Sequence, residues 1–245
     1  MKPGSPPPVF LRAEWRHLVM ANYEIDPLLL QGYVPAGTEL DFFAGRTFVS
    51  VVGFRFLNTR IWSVKVPLHI NFNQVNLRFC VRRKTPDGWR RGVVFIREMA
   101  PRFLVAFVAR LLYGEHYDVM PVRHVVSPPA AGRTGVVCYE WYGAGRWNRL
   151  VAHFDGEPTR AVPESEAAFI ADRYWGYTAQ GDRSPLEYQV EHPPWSVWPA
   201  RTLAFDCSIA RLYGPAFVEA LAKPPSSAFV ADGSAVVVRR GRPIG

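Results

Sequence analysis

The sequence predicts a mainly β (α+β) domain whose strands form a closed or nearly closed antiparallel barrel, with three or four short helices. Three observations carry this. About ten segments of strand length are alternating or uniformly apolar. Turn signals built from Gly, Pro, Asn and Asp separate them at short intervals. Hydrophobic residues make up 49% of the 245 residues and aromatics 14%, ample for a core that a closed sheet would enclose.

Along the chain, residues 14–24 read as a strand. Asp26-Pro27 reads as an N-cap with proline at the first helical position, opening a short helix that stops before Gly32 or Pro35. Asp41 to Arg46 marks a turn, and Thr47–Leu57, apolar on both faces, reads as a central strand. The clearest hairpin follows: residues 71–83 and 89–98 flank Thr85-Pro86-Asp87-Gly88. Pro101 opens an apolar helix over 102–113, with Gly114 at its C-terminal end. Strands are expected near 117–127, 134–142 and 146–154, with Asp155-Gly156 as a turn. Pro163-Glu164-Ser165-Glu166 starts another short helix. Residues 184–240 read as strands, interrupted by His192-Pro193-Pro194-Trp195 and by a helix after Pro215.

Neither an internal repeat nor a linker-like stretch is present, which predicts a loose tail over 1–8 and a single barrel domain over 9–245. Apolar runs fall well short of the ~20 residues of a membrane helix, so no membrane partner is expected. The start lacks the apolar stretch of a secretory signal. Cys80, Cys138 and Cys207 lie far apart without a C-x-x-C, and the six histidines form no paired spacing. That argues against a disulfide framework and a metal site, and no cofactor is expected. The expected setting is cytoplasmic. Net charge is +8, and lysine occurs only at Lys2, Lys65, Lys84 and Lys223, the other basic residues being arginine. Homo-oligomerisation stays open.

The segment from Asn71 to Val81 is the most informative. Side chains alternate along a strand, so Val75, Leu77, Phe79 and Val81 share one face while Gln74, Asn76, Arg78 and Cys80 share the other. Either that second face is wetted by solvent, or it lines a lumen with amides and one guanidinium suited to a carboxylate or polarised carbonyl. Arg97 and Glu98 end the partner strand on opposite faces. Glu98 is the one expected to point inward with Arg78, as its ion-pair partner or as a general acid/base. The hairpin tip at 82–91 carries Arg82, Arg83, Lys84, Arg90 and Arg91. It is either a solvated turn or, in an alternative reading of the protein, a surface for nucleic acid or another anionic partner. With aromatic interleaving limited to Trp89, no specific nucleic acid is expected. Tyr174-Trp175-Gly176-Tyr177, Trp195 and Trp198 read as core or as pocket lining.

In order along the chain stand Ala13-Glu14-Trp15-Arg16, Asn76-Leu77-Arg78, Val94-Phe95-Ile96-Arg97-Glu98, Leu112-Tyr113-Gly114-Glu115-His116-Tyr117, Arg173-Tyr174-Trp175 and His192-Pro193-Pro194-Trp195. With these the chain resembles the YqjF-like family of uncharacterised bacterial proteins, which is similar in fold to acetoacetate decarboxylase. The resemblance implies a cone-like barrel with a central cavity. Acetoacetate decarboxylases act through a lysine Schiff base. Where their lysine pair would stand, this chain has Tyr117 and Asp118, with His116 at the preceding proline position. Their active-site glutamate corresponds to Gln74, so decarboxylase chemistry does not carry over. The expectation is therefore a cavity for a small anionic or carbonyl compound, whether or not it is turned over. Gln74, Asn76, Arg78, Tyr113 and Tyr117 are its ligand-binding candidates, and Glu98, Glu115 and His116 its proton-moving ones. No lysine is expected to form a catalytic imine, and only Lys65, between Val64 and Val66, could be shielded enough to have a lowered pKa.

Overall fold

The computed structural model describes residues 6–65, 70–101, 117–180 and 183–244. Strand β1 spans Val9–Ile25, β2 Glu39–Leu40, β3 Thr47–Ile61, β4 Phe72–Thr85, β5 Gly88–Ala100, β6 Tyr117–Val119, β7 Val122–Ser127 and β8 Gly135–Gly143. Then come β9 (Arg146–Phe154), β10 (Thr159–Arg160), β11 (Trp175–Gln180), β12 (Arg183–Glu191), β13 (Ser196–Pro199), β14 (Thr202–Asp206), β15 (Ser227–Arg239) and β16 (Arg242–Pro243).

Seven strands close into a ring in the order β15-β1-β3-β4-β5-β11-β12, and β12 returns to β15 through Val190↔Val238 and Glu191↔Val237. The ring is mixed rather than wholly antiparallel, since β5 runs parallel to both β11 and β6. Where β5 meets β11 the ladder is only Gly92↔Trp175 and Val93↔Gly176. Glycine makes this approach feasible. A Cβ on Gly92 would lie 2.4 Å from the Trp175 carbonyl oxygen, and one on Gly176 would lie 2.1 Å from the Tyr188 ring.

A separate four-stranded sheet, β14-β9-β8-β7, packs on the ring. Tyr139 from β8 lies against Gly53 of β3, and its hydroxyl donates to the His17 carbonyl at 2.8 Å. The β4 residues Val75, Leu77, Phe79 and Val81 join Tyr139, Trp141 and Leu150 in this inter-sheet core. The strands at 122–127, 135–143 and 146–154 stand where the sequence places them, but they build this second layer and not the ring.

The short helices follow their caps. Asp26 accepts from the Leu28 amide at 2.9 Å and starts a 3-10 turn over Pro27–Leu29. Ser165 caps the helix Glu166–Ala171 through the Ala168 amide at 3.2 Å. Further turns occupy Ile209–Leu212, Pro215–Phe217 and Val218–Leu221. The helix expected over 102–113 lies outside the described residues. The Pro7 and Pro8 carbonyls accept from Arg239 Nη1 at 2.8 Å and from the Arg240 amide at 2.9 Å, so the chain is docked on β15 before residue 9. Among the described residues, no helix is long and apolar enough to cross a membrane.

Candidate ligand cavity

Strand β4 builds the floor of a cavity of about 120 Å³ inside the ring. Its alternation sends Phe72, Gln74, Asn76 and Arg78 into the lumen, opposite the inter-sheet core. On β5 both Phe95 and Glu98 line the same lumen, although an odd spacing would put them on opposite faces of a regular strand. The pairing resolves this. Leu77 faces Arg97 and Arg78 faces Phe95, leaving Ile96 as the extra residue of a bulge. That bulge carries Glu98 opposite Asn76 and into the cavity.

Glu98 is buried, and Gln74 Nε2 donates to its Oε1 at 2.6 Å. It is not the ion-pair partner of Arg78. The half-buried Arg78 guanidinium donates from Nη2 to the Ile170 carbonyl at 3.2 Å, lies 3.6 Å from the Met20 sulfur, and forms no ion pair among the described residues. Burial pulls its pKa down to about 10, Cys80 and Tyr188 opposing that shift and Arg173 adding to it. It therefore stays cationic at neutral pH.

Arg173, absent from the residues singled out above as ligand-binding or proton-moving, also lines the cavity. It is buried, donates from Nε to the Phe169 carbonyl at 2.5 Å, and pairs through Nη1 with the buried Asp41 at 2.5 Å. Both arginines thus dock on carbonyls ending the helix Glu166–Ala171, where the backbone dipoles favour cations. The Asn76 Oδ1 atom is buried without a hydrogen-bond partner among the described residues.

Aromatic and aliphatic side chains make up most of the rest of the wall. Trp175, Gly176 and Trp195 line the cavity as the sequence allows, while Tyr177 points away from it and Trp198 packs on Phe154. His192 stacks on Trp195 at 4.3 Å. Tyr113, Glu115 and His116 lie outside the described residues. Tyr117 pairs with Glu98 along β6, and its side chain is likewise outside the description.

Lys65 is exposed despite its valine neighbours, following the tight turn that ends β3. Lys84 and Lys223 are exposed too, and none of the three lines the cavity. At the hairpin tip every arginine sits by a carboxylate: Arg82 by Glu39, Arg83 and Arg90 by Glu187, and Arg91 by Asp41.

Comparison with known proteins gives the following. The DUF2071 family model, described as an uncharacterized conserved protein, matches residues 12–235. The uncharacterized protein YqjF of Bacillus subtilis (strain 168) is 25% identical over 193 residues, covering 76% of this chain and 74% of YqjF. The enduracididine biosynthesis enzyme MppR complexed with pyruvate matches with a TM-score of 0.70 at 14% identity, covering 100% of this chain and 93% of that one. Acetoacetate decarboxylase from Legionella pneumophila matches with a TM-score of 0.67 at 13% identity, covering 100% and 93%. These structural likenesses are likenesses of fold, and they agree with the resemblance that the sequence motifs carry.

Proposed function

We propose, for a chain that belongs to the DUF2071 family of uncharacterized conserved proteins, that the ring holds a small carboxylate or carbonyl compound against Arg78 without forming a lysine imine. The observation that carries this reading is the Arg78 guanidinium itself. It is cationic, lines the cavity, and is held by a helix carbonyl rather than a carboxylate. A shielded cation without a counter-charge is costly, and a ligand carboxylate would supply one in the geometry a guanidinium prefers. Asn76 adds an amide on the same face, and Glu98 is a carboxyl group within the same wall that can move a proton to or from the ligand. The exposure of Lys65, Lys84 and Lys223 supports a mechanism without a Schiff base. That a protein of the same fold is complexed with pyruvate supports a carboxylate as the ligand.

The test is a thermal melt with and without a panel of carboxylates, on the wild type and on Arg78→Met. The wild type should be stabilised by at least one member in a concentration-dependent way. Arg78→Met should melt within a few degrees of wild type when empty and lose that response. An Arg78→Met variant that still responds to carboxylates would sink the reading.

A further inference from the structure

We infer that the ligand carries its carboxylate on a flat apolar body, so that the cavity takes an arylcarboxylate in preference to a short oxo acid. This rests on the Arg78 reading above and extends it to the rest of the molecule bound. Three observations point the same way.

The wall is divided. Of its buried polar side chains, Gln74, Asn76 and Glu98 come from the β4–β5 hairpin, with Arg173 beside them, and Thr59 comes from β3. Much of the remainder is aromatic, with Trp15, Phe54, Phe56, Phe95, Trp175 and Trp195 among the lining residues. Trp15 meets Phe54, Phe56 and Trp195 edge to face at 5.4, 5.8 and 6.3 Å, a geometry that presents ring faces and edges to a flat guest.

The size fits as well. A volume of about 120 Å³ is of the order of the ~150 Å³ apolar cavities that take up benzene. An acid of two or three carbons would leave most of the aromatic wall uncovered. A single ring bearing a carboxylate would cover it while reaching Arg78.

The third observation is a strained turn next to two lining residues. Ile61 and Val64 close a two-residue turn whose central residues, Trp62 and Ser63, have φ of 46° and 68°. Both occupy the left-handed region that such turns normally reserve for Asn, Asp or Gly. Trp62 is nevertheless 60% exposed. Its amide donates to the Phe10 carbonyl at 2.8 Å, and its ring stands edge-on to Phe10 at 5.6 Å. Phe10 and Ile61 both line the cavity. A large indole held by unfavourable backbone against the lining residues Phe10 and Ile61, with its surface in water, suits contact with the apolar part of a ligand whose acid group sits at Arg78.

The experiment measures binding by calorimetry and by indole fluorescence, using benzoate and phenylacetate against acetate and pyruvate, with benzyl alcohol as the uncharged control. Benzoate or phenylacetate should bind at least about tenfold more tightly than acetate or pyruvate, a tenfold step being a difference that one well-covered ring supplies. Trp62→Ala should weaken the aryl acids more than it weakens acetate, with a correspondingly smaller fluorescence change. Short acids binding as tightly as aryl acids would overturn this inference and leave the Arg78 reading standing. Benzyl alcohol binding as tightly as benzoate would overturn both, leaving only an apolar pocket. No binding by any member of the panel would also overturn both.

Discussion

Two arginine settings in this molecule differ in how their charge is answered. Glu187 of β12, with a side chain fully shielded from solvent, receives Arg90 Nη1 at 2.7 Å, Arg242 Nη2 at 3.1 Å and Arg83 Nη1 at 3.4 Å. The Tyr177 hydroxyl lies 3.2 Å from the same carboxylate. One carboxylate thereby ties β4, β5, β11, β12 and β16 together. In the lumen, Arg78 meets a helix carbonyl and a sulfur. The first arrangement is answered from within and reads as structure. The second is met by no carboxylate among the described residues, and that difference is the ground for the proposed ligand.

The comparison is tested most severely at Glu187. Glu187→Leu would strand Arg83 and Arg90, both largely shielded, beside an apolar side chain. Breaking a buried pair this way costs about 3–5 kcal/mol, because the remaining charge keeps its desolvation cost and loses its partner. Urea unfolding should register that loss, while Arg78→Met should cost far less. If the two variants are equally destabilised, Arg78 is as structural as the Glu187 cluster and the contrast collapses.

The Arg78 side of this contrast was partly legible in the sequence, the Glu187 side was not, and what was missed has physical causes. The alternation of Gln74, Asn76 and Arg78 against Val75, Leu77 and Phe79 needs only the two-residue period of a strand, and the TPDG turn fixes the hairpin that carries it. The bulge at Ile96 leaves no local signal, so the register that sets Glu98 opposite Asn76, and away from an ion pair with Arg78, was not readable. Arg173 is placed by its docking on a helix end and on Asp41, 132 residues away. Long-range pairing of that kind has no signature in one sequence. The second sheet was hidden for a similar reason, because its strands look like those of the ring and only their pairing differs.

A smaller effect is expected at Gly176, which neighbours Tyr177 of the Glu187 cluster yet faces the lumen. Gly176→Ala would drive a methyl group into the Tyr188 ring, itself part of the cavity wall. Overpacking of this kind costs about 1–3 kcal/mol. The displaced ring should also shrink the cavity and lower carboxylate affinity. Melting of the empty and ligand-saturated variant checks both halves. Unchanged ligand stabilisation would mean that the ligand does not reach this part of the wall.

The smallest effect concerns the hairpin tip, where charge looks abundant in sequence. Arg82 pairs with Glu39 and stacks 4.2 Å over Trp89, while Arg91 lies beside Asp41 and Arg83 and Arg90 share Glu187. Lys84 stands exposed among them. Phosphate binding depends on cations free to displace counterions, and each one engaged steepens the salt dependence of affinity. Arginines already answered by carboxylates contribute little of that slope. Affinity for mixed-sequence oligonucleotides should therefore be weak, with a shallow salt slope, and should vanish near ~150 mM salt. Arg82→Gln and Arg91→Gln should change it by less than about twofold, and stability by no more than about 1 kcal/mol, the usual range for exposed pairs. Filter binding across a salt series gives the affinity, and melts of the same variants give the stability. Submicromolar binding at physiological salt, lost on Arg82→Gln, would move the site from the lumen to the hairpin. The arginines most visibly paired would then be the ones that act on a partner, the reverse of the contrast between Glu187 and Arg78.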